Sequence, residues 1–253
     1  MIVGVTSVSG APGVTTFATM AVALWPTGIS PLLIDADVTG ASVTTRFPGL
    51  LNTEPSTVQL LAQCRHSFDR ATIAANSQPL PHGGDVVVAP PDRLQGAEAV
   101  RGLLGRSAEL DAALGQRDVV VDLGRAHAAA TPPGALDGLY VLTRLDFVHV
   151  APVLGQLRLL ATLAKTVSLV GVQAPKHAGS AAIEPDELAV ELAKRTDGGI
   201  GLAGVLAYEP AQAAAWTVPG APSRKLDRLG LTRQLRTVLK ASVSSRGGSH
   251  ERV

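Results

Sequence analysis

The strongest constraint in this chain is a recurring pattern. Short, unbroken aliphatic runs are each followed by a polar loop and then by a stretch with helical spacing. The runs begin with Ile2 to Val8 and continue with Pro31-Leu-Leu-Ile-Asp-Ala-Asp37, Asp85-Val-Val-Val-Ala89 and Asp118-Val-Val-Val-Asp-Leu123. Residues 138–143, 167–172 and 200–207 extend the series. Runs this short and this uniformly apolar read as strands covered on both faces. Between them the spacing predicts helices over residues 15–24, 57–65, 96–114, 151–164, 184–195 and 226–240, and a helical turn over 41–47. Ser56 is placed to cap the second of these helices. Residues 78–84 hold two prolines and two glycines and read as a loop. Strands that alternate with helices specify an α/β fold: a mostly parallel central sheet with helices on both faces. No linker or internal repeat divides it, so one domain is expected over residues 1–240. A frayed tail is expected over 241–253, where Ser, Gly and charged residues gather.

Composition narrows the class further. Aromatic residues make up only 3% of the 253 positions, so the core must be aliphatic. The formal net charge of +1 supplies no whole-molecule attraction to nucleic acid or to a membrane surface. Cys64 is the only cysteine, which excludes a disulfide framework and a thiolate metal cluster. No run reaches the roughly 18 apolar residues of a membrane span. The N-terminus has no basic segment, and Gly10, Pro12 and Gly13 would interrupt a signal sequence. A cytoplasmic protein is expected.

In open α/β sheets, ligands collect beyond the carboxyl ends of the strands. Three strands here deliver polar residues to that edge: Ser9 to Thr16 after the first, Asp35 and Asp37 at the second, and Asp122 at the fourth. Strand, glycine loop and helix together have the layout of a phosphate cradle, in which loop amides and a helix N-terminus face an anion. Yet Val14 stands where a phosphate-binding loop carries its lysine. The six histidines share no metal-ligand spacing, and Ser7 and Ser9 have no evident His–Asp partners.

With these motifs in register, the chain resembles the MinD/ParA group of deviant Walker-A P-loop ATPases. That family's Lys-Gly-Gly-x-Gly-Lys-Thr-Thr loop aligns with Ser9-Gly-Ala-Pro-Gly-Val-Thr-Thr16. Its Asp-x-Asp aligns with Asp35-Ala36-Asp37, and its strand ending in aspartate aligns with Val119-Val-Val-Asp-Leu-Gly124. The resemblance spans residues 1–240 and implies a P-loop NTPase-like fold. It also implies a nucleotide site at Gly10, Ala11, Pro12, Gly13, Val14, Thr15 and Thr16, with Thr15, Asp35 and Asp122 organising Mg²⁺. Asp37 would be the catalytic carboxylate of an active member. ATP or ADP with Mg²⁺ is the implied cofactor, although the residues themselves assign none.

Both family lysines are absent. The one that reaches across a dimer is Ser9, the Walker lysine is Val14, and the second glycine is Ala11. Valine offers neither charge nor donor to a triphosphate. Arg46, Arg125 and Arg144 are conceivable substitutes. Gln173-Ala-Pro175 and Tyr208-Glu209-Pro210 stand at the family's base-facing positions, the first without the usual asparagine. Two functions follow. One is a non-hydrolysing scaffold or localisation factor for a cell-pole, septum or secretion/pilus machine, in the manner of pilus-positioning relatives with atypical loops. The other is a slow ATP-dependent switch. Either implies protein partners and allows a homodimer. The basic amphipathic stretch 226–240 would lie on a membrane or DNA in some family branches, or pack on the domain as an ordinary surface helix.

Overall fold

The computed structural model describes residues 1–10, 13–39, 42–126, 131–173, 181–221 and 223–247, with side chains through residue 241. Eight strands form one sheet: β1 (Ile2–Ser7), β2 (Leu32–Asp35), β3 (Gln78–Pro79), β4 (Asp85–Val87), β5 (Val119–Arg125), β6 (Leu136–Arg144), β7 (Ala164–Val172) and β8 (Ile200–Leu206). Their order is β3-β4-β2-β5-β1-β6-β7-β8. Every neighbouring pair is parallel except β3 with β4. The expected parallel α/β architecture is therefore the observed one.

Alternation along the strands separates two cores. Ile2, Leu32, Ile34, Val119 and Val121 face one apolar cluster, while Val3, Val5, Leu33 and Val120 face the other. A period of two does this, because successive side chains of a strand point to opposite faces. Helices α1 (Val14–Ala23) and α12 (Gly230–Gly247) contribute to the second cluster. The first is covered by α3 (Thr57–Gln63), α4 (Arg70–Ala75), α5 (Arg93–Gly105), α6 (Ser107–Leu114), α7 (Phe147–Gly155), α8 (Leu157–Leu163) and α9 (Pro185–Thr196). Three short helices complete the chain: α2 (Ser42–Arg46), α10 (Pro210–Ala215) and α11 (Ser223–Asp227).

Several elements differ from the sequence reading. The stretch 96–114 is two helices, because Arg106 leaves helical geometry at φ −114°, ψ 29°. Its guanidinium lies 4.6 Å from the centre of the Phe68 ring and donates to the Cys64 carbonyl at 2.6 Å. The expected helix 151–164 begins earlier, at Phe147, because the Asp146 carboxylate accepts from the His149 N–H at 3.0 Å and caps it. It is interrupted at Gln156, and β7 already starts at Ala164. Within the loop read over 78–84, Gln78 and Pro79 pair antiparallel with β4, at a sheet edge where proline's missing N–H costs no ladder bond. Helix α12 continues past Lys240 to Gly247.

That last helix packs on the domain. Leu231, Leu235, Val238 and Leu239 are buried in the second cluster, and Arg236 pairs with Asp227. Its apolar stripe is thus occupied by the core rather than presented to a membrane. Among the described residues, no helix is long and apolar enough to cross one.

Candidate functional site

The loop between β1 and α1 turns on two glycines, Gly10 at φ 68° and Gly13 at φ 96°. Both values lie in the left-handed region, where a Cβ would be strained. Ala11 and Pro12 fall outside the described residues. Val14 is the first residue of α1 and is only 6% exposed, packed within the second apolar cluster. A side chain at the lysine position therefore belongs to the core. Thr15 and Thr16 remain half-buried at the helix start. Its N-cap is Gly13, which has no side chain to accept from the amides of the first turn.

Asp35 and Asp122 end up side by side. They are register partners on the adjacent parallel strands β2 and β5, and both are fully buried. Asp35 accepts from the Ser42 hydroxyl and the Val43 N–H, both at 3.0 Å, and so anchors the start of α2. Asp122 accepts the Gly124 N–H at 3.0 Å through Oδ1, while its Oδ2 has no partner among the described residues. Burial pushes Asp35 up to about 6, against the pull of its hydrogen bonds. Burial and then the charge of Asp35 push Asp122 up to about 7, while the Thr15 hydroxyl beside it favours ionisation. Asp37, half-buried, donates its backbone N–H to Asp35 at 3.3 Å and its charge adds to the upward push on both Asp35 and Asp122, while its carboxylate holds the Thr39 N–H at 2.9 Å and hydroxyl at 2.7 Å. It also packs on Gly124, where a Cβ would meet its carboxyl carbon at 2.3 Å.

These residues fit one half of a magnesium nucleotide. The orphaned Oδ2 of Asp122, beside the Thr15 hydroxyl, suits a divalent cation, which would supply the missing electrostatic partner for two adjacent carboxylates. The phosphate half does not fit equally well, because Val14 is committed to the core.

A cavity of about 470 Å³ adjoins the loop. It starts at Gly13 and Thr16 and lies against the carboxyl ends of β6, β7 and β8 at Leu142, Val172 and Leu206. Of the three arginines considered as lysine substitutes, Arg46 alone lines it. The charge of Asp122 favours its ionised form, while burial opposes it. Arg125 is exposed at the end of β5. Arg144 lies 5.9 Å from the centre of the Tyr208 ring. Tyr208 and Glu209 do reach the cavity, as the sequence places them. Gln173 is exposed and donates its backbone N–H to the Leu206 carbonyl.

His149 was not singled out by its sequence context, yet it sits on the glycine loop. A Cβ on Gly10 would lie 2.9 Å from its Nε2. Its Nδ1 bonds Asp146 at 2.7 Å, and its carbonyl accepts the Ser9 hydroxyl at 3.3 Å. Ser9 therefore engages the backbone of His149 rather than its ring, which is not a nucleophile–base contact. No local pattern could have signalled this neighbour, because the two residues are 140 positions apart. Among the described residues, no three His, Cys, Asp or Glu side chains are grouped to hold a metal. His127, His177 and His250 lie outside those residues.

No family model matches the chain, and no curated protein matches it. Solved structures do. The septum site-determining protein MinD of Pyrococcus horikoshii OT3, complexed with Mg-ADP, superposes with a TM-score of 0.69 at 15% identity, covering 99% of each chain. A ParA family ATPase from Chlorobium tepidum TLS gives 0.68 at 15% identity, covering 94% of this chain and 97% of the other. A chain of the Aquifex aeolicus MinC:MinD cell division protein complex gives 0.56 at 14% identity, covering 96% and 95%. The chain has the fold of the MinD and ParA ATPases over its whole length.

Proposed function

We propose that this chain is a non-hydrolysing scaffold or localisation factor built on the MinD/ParA fold. It acts through protein contacts in a cell-pole, septum, division or secretion/pilus system. One observation carries the reading: Val14, at the Walker lysine position, is buried in the apolar cluster under the start of α1. A charge-assisted donor to the β- and γ-phosphates is therefore absent, and losing one such donor costs on the order of 10²–10³ in rate. Both oxygens of Asp35 are committed to the start of α2, while Asp37 holds Thr39 through Oδ1. The partner role follows from the neighbours in fold, one of which was solved as a MinC:MinD complex.

A second reading, a slow ATP-dependent switch, is favoured by Arg46 at the cavity and by the open Oδ2 of Asp122. Phosphate release from ATP·Mg²⁺ separates the two. The scaffold reading expects no release above that of an Asp122→Asn control. Turnover that depends on Arg46 would replace it with the switch.

A further inference from the structure

The cavity beside α1 is built unevenly. From Gly13 and Thr16 it continues along α1 past Phe17 to Met20, and α12 closes it with Leu231 and Leu235. Cavities of roughly 300–1,000 Å³ accept small organic ligands, and its volume of about 470 Å³ falls in that range. The α1 and α12 walls are hydrocarbon, while Tyr208 and Thr217 also line the cavity. The strand ends are already satisfied there: the Ala207 N–H donates to Gln234 Oε1, and the Gln173 N–H to the Leu206 carbonyl. A polar ring edge lodged against Phe17, Met20 and Leu235 would lose its hydrogen bonds to water without replacement.

The mouth has the opposite character. Arg46 is half-buried and lines the cavity; among the described residues no hydrogen bond holds its guanidinium, and the charge of Asp122 keeps it ionised against burial. A guanidinium carries five donors in a fixed fork that matches a carboxylate. The start of α1 lines the same cavity at Gly13 and Thr16, and the amides and dipole of a helix start favour an anion. Glu209 also lines the cavity, but is solvent-exposed.

We propose that this cavity binds an amphipathic carboxylate, its head on Arg46 and the first-turn amides of α1, its hydrocarbon body between α1 and α12. This goes beyond the scaffold reading, which names no small ligand. It assigns a ligand of a different chemical class to a fold that was solved with Mg-ADP in the Pyrococcus horikoshii MinD.

Calorimetric titration of the full chain with decanoate, kept below micelle-forming concentrations, tests it. Decanoate is expected to bind saturably at one site and to raise the melting temperature by mass action. Decanol, with the same chain and no charge, is expected to bind at least about tenfold more weakly, as is decanoate to Arg46→Gln, since a charge-assisted bond is lost in each case. Ala213→Phe, which fills the cavity from the half-buried face of α10, is expected to abolish binding. No saturable binding, equal binding of decanol, or an unchanged affinity in Arg46→Gln would each overturn the proposal. So would ATP·Mg²⁺ displacing decanoate at equal concentration. The scaffold reading fails on a separate measurement, phosphate release, so the two can fall independently.

Discussion

Single residues carry the most specific consequences. Asp35 and Asp122 titrate higher in the folded chain than in the unfolded one, at about 6 and about 7 from an ordinary 3.8. The folded state therefore holds more protons than the unfolded state between pH ~4 and ~7. Their contribution to stability is complete below that window and is lost as pH rises through it, by up to about 1.4 kcal/mol per pH unit for one group. Asp122→Asn removes one of the two charges. Urea unfolding across this range is expected to show the variant gaining on the wild type as pH rises, because the other acids cancel in the difference. A gap that stays constant with pH would show that the carboxyls do not titrate as a buried pair. Gly10 gives a second residue-scale prediction. Its φ of 68° and the His149 ring 2.9 Å from a would-be Cβ both oppose alanine. Gly10→Ala should cost about 1–2 kcal/mol for the left-handed backbone alone, and more for the clash. His149→Ala loses the bond to Asp146 but also removes the clash, so the two substitutions should combine with less than additive cost in denaturant unfolding. Simple additivity would mean that the ring moves away freely. Either way, the glycine has a structural reason that is independent of any nucleotide.

At the scale of elements, the sequence revealed whatever was locally periodic. The aliphatic runs became strands, and Asp35 and Asp122 stand side by side within β2 and β5 near their carboxyl ends. What it hid was decided by contacts distant in sequence. Arg106 breaks a helix because its guanidinium is used by Phe68 and Cys64. Gln78 and Pro79 join the sheet because β4 offers an edge. The seat of His149 on Gly10 has no local signature, whereas the inward turn of Val14 follows from its own apolar, β-branched side chain. For α12 the spacing alone left two faces of meaning, membrane or core, and burial decides. Leu235, 1% exposed, is expected to cost about 2–5 kcal/mol as alanine. Arg233, exposed on the opposite side, should change stability by no more than about 0.5 kcal/mol. Neither should alter co-sedimentation with anionic vesicles. Vesicle binding abolished by Arg233→Ala, with stability intact, would assign this helix to a membrane after all.

The whole molecule brings these effects together as a question of assembly. Nucleotide-driven dimers of this fold family are expected to close across the phosphate loop, with the lysine at the position of Ser9 reaching the other subunit's phosphates. Here that position is a serine whose hydroxyl is turned to the His149 carbonyl. Phe147 and Val148, at the start of the same helix, are 66% and 62% exposed. A surface of this kind can engage a protein without a nucleotide, since apolar burial needs no bridging phosphate. Solution mass measured by light scattering is therefore expected to be the same with and without millimolar ATP·Mg²⁺. Adding lysines by Ser9→Lys and Val14→Lys should not restore a nucleotide-dependent dimer. The new ammonium at position 14 would start inside an apolar cluster, where a charge is costly to bury, and α7 would still lie against Gly10. A mass that doubles only with ATP in the wild type would mean that the loop still works as a switch. Doubling only in the lysine variant would mean that the remaining pocket is intact and that the two missing charges alone separate this chain from an ATP-driven dimer.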